Sequence, residues 1–354
     1  MKEERVLAKE NIKKTLASLK ELDEHIALLD YQCDYDLEAA LAAGLKSEFA
    51  SARFLQKLLH TAKLVPNPLA GHSGCSAFNA KTPDGKVIMG RNFDYKEARV
   101  LVIWTHPKKG YRGMAVCNQN HMMYADLRKA RRPLRALAAP YVSMDGINEK
   151  GFACAILELI TKPTKQERGK TPITTIVAVR GMLDTCATVD EAIAFLSEYD
   201  MHDLLGACYH YFLTDASGSS AIVEYMNNEM YVYRQDKPDD NLKLTNFFIT
   251  PGGVCNERGR DRYEIMDCRL RDKPILTEDE AMDLLSSVKV YFRSHYKIFM
   301  ISTSWSAVYN CTERSMYLCA GKDYKRRYRL RVDEPLKAEL IISKSECSDS
   351  TVDN

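Results

Sequence analysis

Gly74-Cys75-Ser76-Ala77-Phe78-Asn79-Ala80-Lys81-Thr82-Pro83-Asp84-Gly85-Lys86-Val87-Ile88-Met89-Gly90-Arg91-Asn92-Phe93-Asp94 is the stretch on which the reading of this chain turns. Cys75–Ala80 and Lys86–Arg91 read as strands, and proline followed by Asp-Gly between them is strong turn chemistry. With Pro83 and Asp84 as the two turn residues, Cys75 lies opposite Asn92, with Arg91 and Asp94 close by. Directly opposed side chains have Cβ atoms about 4.5–5.5 Å apart. The hairpin therefore gathers a thiol, a guanidinium and a carboxylate, allowing a register error of a residue or two.

Such a cluster suits thiol chemistry. A positive charge at Arg91 favours the thiolate, and Asp94 is of the type that holds and orients an amine. If Cys75 were a chain end, its own α-amino group, titrating near ~7.7–8.0, would serve as the base. No histidine is well placed for that role. Ser73-Gly74 before it is small and permissive, as a strained scissile turn requires. The plain reading stays open beside this one: a surface ion pair next to a core cysteine.

Upstream, Ile12, Leu16, Leu19, Leu22, Ile26 and Leu29 recur at helical steps, and Leu37, Leu41, Leu45, Phe49, Leu55 and Leu59 suggest a second helix. The breaker-rich Val65-Pro66-Asn67-Pro68-Leu69-Ala70-Gly71 then closes a helical pre-segment, residues 1–74. Downstream, Val100–Trp104 and Gly113–Cys117 are strand candidates. Asn148-Glu149-Lys150-Gly151 is a turn into the strand Phe152–Leu157. Helices follow at Thr175–Leu183 and after two capping-box sequences, Thr188-Val189-Asp190-Glu191 and Thr277-Glu278-Asp279-Glu280. A hairpin is expected over Tyr209–Thr214 and Ala221–Tyr225, with strands at Met230–Arg234, Ser304–Tyr309, Met316–Ala320 and Tyr328–Val332. Strands, then helices, then strands argue for α+β, with sheets stacked face to face and helices outside. The main domain spans 75–342, and the polar tail 343–354 is expected to be disordered.

Composition narrows the function. Acidic and basic residues nearly cancel, 48 against 50, so there is no broad field for nucleic acid or an anionic membrane, and a small-molecule substrate is expected. The charged Met1–Glu10 has no apolar core of signal-peptide length, and no later stretch approaches the ~20 apolar residues of a membrane span. A cytoplasmic protein is expected. The 11 cysteines include no CxxC spacing, which weakens zinc and thioredoxin-like readings and fits a reducing compartment. No metal and no cofactor is expected.

Gly74-Cys75-Ser76-Ala77-Phe78, Asp84-Gly85-Lys86 and Gly90-Arg91-Asn92-Phe93-Asp94-Tyr95 resemble the choloylglycine hydrolase family of linear-amide hydrolases. The resemblance continues, in the family's order, at Asp145-Gly146-Ile147-Asn148-Glu149-Lys150-Gly151, Thr214-Asp215-Ala216-Ser217-Gly218, Val223-Glu224, Leu244-Thr245-Asn246 and Asp261-Arg262-Tyr263. It implies the four-layer αββα sandwich of N-terminal-nucleophile hydrolases. It implies Cys75 as nucleophile, Arg91 and Asp94 positioning its amine with Arg262 completing the charged cluster, and Asn246 donating to the oxyanion. Read alone, Asn246 is a turn cap and Arg262 a surface charge in the run 258–262. Asp145 and Asn148 are taken as turn residues outside the site.

Three departures qualify what the resemblance implies. Bile salt hydrolases expose their cysteine by losing little more than a methionine, whereas 74 residues precede Cys75. Self-cleavage at Gly74–Cys75 is therefore expected, as in relatives with long pre-segments, and the amphipathic pre-segment is expected to stay docked. Glu158 stands where bile salt hydrolases carry an oxyanion-hole asparagine; either its backbone N–H serves the oxyanion while the side chain faces a polar or cationic substrate group, or the side chain forms a salt bridge. The basic stretch Leu127–Arg135 is a solvated loop or attracts an acidic group. The expected function is a self-cleaved cysteine amidohydrolase acting on a small N-acyl conjugate, and the resemblance implies a homo-oligomer. An acyltransferase of the same fold and a non-catalytic binding protein with Cys75 blocked by the pre-segment are the alternatives.

Overall fold

The computed structural model describes residues 2–59, 74–96, 99–119, 133–203, 206–237, 239–255, 258–293 and 300–342. The linker 65–71, Ser73, the basic stretch 127–132 and the tail 343–354 lie outside the described residues; of 133–135 only the backbone is described.

The chain opens with α1 (Lys2–Ala17), β1 (Lys20–Glu21), β2 (Ile26–Tyr31), α2 (Leu37–Ala42) and α3 (Glu48–Leu59). The expected first helix thus ends at Ala17. Asp23 accepts the backbone N–H groups of His25 and Ile26 at 2.7 and 2.8 Å, turning the chain. Ile26-Ala27-Leu28-Leu29 is then a continuous apolar run, buried on both faces as a central strand must be. Its residues also satisfy a helical period, which is why spacing misassigned it. The expected second helix is likewise split, at Gly44, whose φ of 61° an ordinary helix does not contain.

The hairpin β3 (Gly74–Lys81) and β4 (Val87–Tyr95) follows, then β5 (Val100–Thr105), β6 (Gly113–Asn118), a 3-10 segment (Pro133–Val142), β7 (Ser143–Asn148) and β8 (Ala153–Leu159). Next come β9 (Pro172–Thr174), α4 (Thr175–Thr185), α5 (Val189–Glu198), β10 (Asp200–His202), β11 (Cys208–Thr214), β12 (Ser220–Met226), β13 (Glu229–Arg234) and β14 (Lys243–Leu244). The chain continues through α6 (Arg260–Asp272), α7 (Glu278–Ser287), β15 (Tyr291–Arg293), β16 (Met300–Asn310), β17 (Ser315–Ala320), β18 (Arg326–Arg331) and β19 (Glu339–Ile342). Thr277 and Glu280 close a full capping box on α7, and Thr188 accepts the Glu191 N–H on α5.

Two sheets carry the fold. The first runs β1-β2-β5-β6-β7-β8-β11-β12-β13; the second runs β14-β3-β4-β16-β17-β18-β19, with β15 also on β16. Every pairing is antiparallel except β2 with β5 in the first sheet and β9 with β10 in a small separate pair. Alternation along β3 and β4 shows the layering. Cys75, Ala77, Met89 and Phe93 join the core between the sheets, while Phe78, Ala80 and Ile88 pack with Met266, Leu270 and Leu285 of α6 and α7. On the far side, Val177, Met182 and Phe195 of α4 and α5 cover the first sheet. The order is helices, sheet, sheet, helices. No helix among the described residues is long and apolar enough to cross a membrane.

Candidate active site

The β3–β4 turn sets the site's register. Thr82 N–H donates to Lys86 O and Gly85 N–H to Thr82 O, both at 2.8 Å, and Gly85 has φ 81°. The loop therefore has three residues, Pro83, Asp84 and Gly85, the last in the left-handed conformation that a three-residue hairpin needs. Cys75 consequently faces Phe93, Ala77 faces Arg91 and Gly74 faces Asp94. The expected two-residue turn is wrong by one position. That single step decides which face each group takes.

The cluster straddles β3. On the inner face, the Cys75 thiol lies 3.9 Å from Ile156 O, and Arg91 Nη2 donates to the same carbonyl at 3.0 Å. Burial pushes the Cys75 thiol up to about 11, with the Arg91 charge opposing the rise and Asp94 adding to it. Glu158 pairs across the strand with Tyr209, and its carboxylate also raises the thiol. Arg91 is fully buried, its guanidinium over Phe93 and Trp305 at 4.8 and 5.4 Å.

Arg91 is held by a residue that sequence reasoning placed outside the site. Asp145, on β7, meets Arg91 Nε at 2.6 Å with both side chains fully buried, and takes further bonds from Trp305 Nε1 at 3.2 Å and the Tyr309 hydroxyl. Asp145 is thus a strand residue joining the two sheets. Only Asn148 keeps the expected turn role, accepting the Lys150 and Phe152 N–H groups. Proximity to the turn sequence hid Asp145; no spacing rule pairs residues 54 positions apart.

On the outer face, Asp94 and Arg262 meet under α6. Arg262 Nη1 reaches Cys75 O at 2.7 Å, Ser76 Oγ at 3.0 Å and Asp94 Oδ2 at 3.2 Å. Asp94 Oδ1 accepts the Thr303 hydroxyl at 2.6 Å. Burial raises the Asp94 carboxyl, opposed by Arg262 and then by the Thr303 hydrogen bond. Gly74 is a strand residue, not a strained turn. A Cβ there would stand 2.9 Å from Asp94 Oδ2, so close approach is what requires glycine.

Asn246 joins the two faces. β14 pairs with β3 only at Phe78 and Ala77, so beyond it the Asn246 side chain takes the place of a strand. Its Oδ1 accepts Cys75 N–H and Arg262 Nη2, both at 2.8 Å, and its Nδ2 donates to Glu158 O at 2.8 Å. The amide donor expected at the oxyanion is turned to Glu158 O. Cys75, Arg91, Asp94, Asn246 and Arg262 are thus brought together, with Glu158 beside them, and Asp145 and Thr303 are added. Among the described residues, no group of three or more His, Cys, Asp or Glu is placed to hold a metal.

Residues 75–248, beginning at Cys75 itself, match the model of linear amide C–N hydrolases, choloylglycine hydrolase family. This part of the chain is similar to the choloylglycine hydrolase family. A penicillin V acylase of Pectobacterium atrosepticum is 34% identical over 103 residues, 25% of this chain and 27% of that protein, so the match spans about a quarter of that relative. Among solved structures, a conjugated bile acid hydrolase from Clostridium perfringens superposes with TM-score 0.53 at 15% identity, over 79% of this chain and 100% of that one. A penicillin V acylase from Agrobacterium tumefaciens gives TM-score 0.50 at 19% identity, over 70% and 83%. The α+β fold of two stacked sheets is shared with these two hydrolases.

Proposed function

We propose that the chain cuts itself between Gly74 and Cys75, and that the freed Cys75 hydrolyses the amide bond of a small N-acyl conjugate. The observation that supports this best is where the buried side chains converge. Asn246 and Arg262 clamp the nitrogen and the carbonyl oxygen of Cys75, rather than its sulfur alone. Satisfying an open strand edge takes one hydrogen-bonding group, whereas here the same two side chains also bond each other and, through Arg262, Asp94.

In the first step Sγ attacks the Gly74 carbonyl carbon, the C–N bond breaks, and the thiol proton ends on the Cys75 nitrogen. Water then hydrolyses the Gly74 thioester, leaving a carboxylate and a free thiol. In turnover the thiol attacks a substrate amide, its proton passes through the α-amine to the leaving amine, and water releases the acid from the thioester. Asn246 would serve the oxyanion once Nδ2 turns from Glu158 O, and losing such a donor typically costs ~2.7–4 kcal/mol. Glu158 would face the substrate and select a polar or cationic group. The penicillin V acylase and conjugated bile acid hydrolase relatives give two amides to try first.

The cut fragment stays bound in this reading. β2 is hydrogen-bonded to β5 inside the first sheet, and the Tyr35 hydroxyl donates to the buried Asp184 at 2.7 Å.

Mass spectrometry of the folded protein tests the first step. Wild type should yield a fragment starting at Cys75, and Cys75→Ala should remain intact. A wild type that stays whole supports the blocked, non-catalytic reading, and an added amine that diverts product into a new amide identifies a transferase.

A further inference from the structure

Thr303 was in no part of the site read from sequence, yet it supplies the bond to Asp94 Oδ1. Its hydroxyl has no freedom. Val290 N–H donates to Thr303 Oγ1 at 2.8 Å, while Thr303 N–H donates back to Val290 O at 3.0 Å. With the oxygen already accepting, its proton is committed to Asp94. Thr303 also stands where the register of β16 slips against β4, between Thr303 and Trp305. Bulges of this kind re-aim a side chain. With Oδ1 fixed, Oδ2 is left facing Arg262 and the Gly74 position. That position is the one vacated beside the new amine when the bond before Cys75 is cut.

We propose that Thr303 is a positioning residue for the Cys75 chemistry: its hydroxyl locks Asp94 so that Oδ2 meets the nitrogen freed when Gly74 leaves. The inference rests on the self-cleaving amidohydrolase reading above. The charged and titratable groups facing Asp94 are Arg262 and Arg258 from α6 and the turn before it, Arg91 on its own strand, and Cys75 on β3. Burial raises the Asp94 carboxyl and the Thr303 bond lowers it. Removing the hydroxyl therefore raises it further, and the acid limb of activity, where Asp94 loses its charge, moves to higher pH.

The test compares Thr303→Val, which keeps the shape without the donor, with Thr303→Ser, which keeps the donor. Both are made in the full chain, with penicillin V and a glycine-conjugated bile salt as probes. Thr303→Val is expected to lower kcat about ten-fold with little change in KM, and to move the acid limb up by about one pH unit; Thr303→Ser restores both. A second readout needs no turnover: the Asp94 carboxyl midpoint, followed by carbon-13 NMR in aspartate-labelled protein and assigned with Asp94→Asn. It should rise by the same amount in Thr303→Val and stay in place in Thr303→Ser. Thr303→Ala replaces the valine variant if that does not fold. If wild type cuts neither itself nor the probes while the midpoint still moves, the functional reading fails and the Thr303 lock on Asp94 stands. An unmoved midpoint in a folded donor-less variant, a shifted one in Thr303→Ser, or a wild-type kcat and pH profile in Thr303→Val overturns the lock.

Discussion

Arg91 shows how much of this site is built out of sight of the substrate. Its charge sits in a fully buried position against Asp145, and a buried ion that loses its partner typically costs about 3–5 kcal/mol. Asp145→Ala is expected to destabilise the fold by that amount, read by urea unfolding in a Cys75→Ala background so that cutting does not interfere. The thiol gives a second prediction. With its midpoint pushed up to about 11, Cys75 is protonated at neutral pH, and the thiolate fraction grows ten-fold with each pH unit below that midpoint. Self-cleavage of freshly folded precursor should therefore be faster at pH 9 than at pH 7; a rate independent of pH would mean that the thiolate is not the attacking species. At this scale the sequence was legible where groups lie close along one hairpin, as Cys75, Arg91 and Asp94 do. Asp145 and Thr303 come from other strands, and no local pattern marks them.

Elements were legible where their periods were unambiguous. The apolar strands and both capped helices fall close to where spacing puts them, whereas α6 was not foreseen. Its 13 residues are mostly charged, and only Arg262, Met266 and Leu270 are buried, a stripe too sparse for apolar periodicity to register. The hairpin turn was recognised, but its length was not, because Asp-Gly suits both a two-residue and a three-residue loop. Two glycines of this hairpin separate the causes that fix it. Gly85 has a positive φ with open space around it, so Gly85→Ala should cost about 1 kcal/mol of stability, measured by denaturation, and leave cutting unchanged. Gly74→Ala places a methyl against Asp94, and misplacing the scissile bond by about 1 Å should slow self-cleavage on the order of 10²-fold.

Across the whole molecule, the first 59 residues are woven into the domain that follows. Tyr31 donates to Leu137 O at 2.7 Å, Tyr141 donates to Tyr35 O at 2.6 Å, and Tyr35 caps the Asp184 carboxylate that also pairs with Arg180 at 2.6 Å. After cutting, the two fragments should co-elute in native buffer and separate only in strong denaturant; elution of the small fragment alone would contradict this. Tyr35→Phe removes one partner of a buried carboxylate and should lower stability by about 1–3 kcal/mol. The layered α+β plan was readable from the order of elements, but this weave was not, since β2 joins β5 across some 70 residues of chain.

That parallel pairing bears on how the protein can be made. A gene that starts at Cys75 would leave Val100–Thr105, six buried residues, as a naked border of the sheet. Exposed apolar borders recruit other chains, so such a product should precipitate, and the folded protein is best obtained by letting the full-length polypeptide fold first.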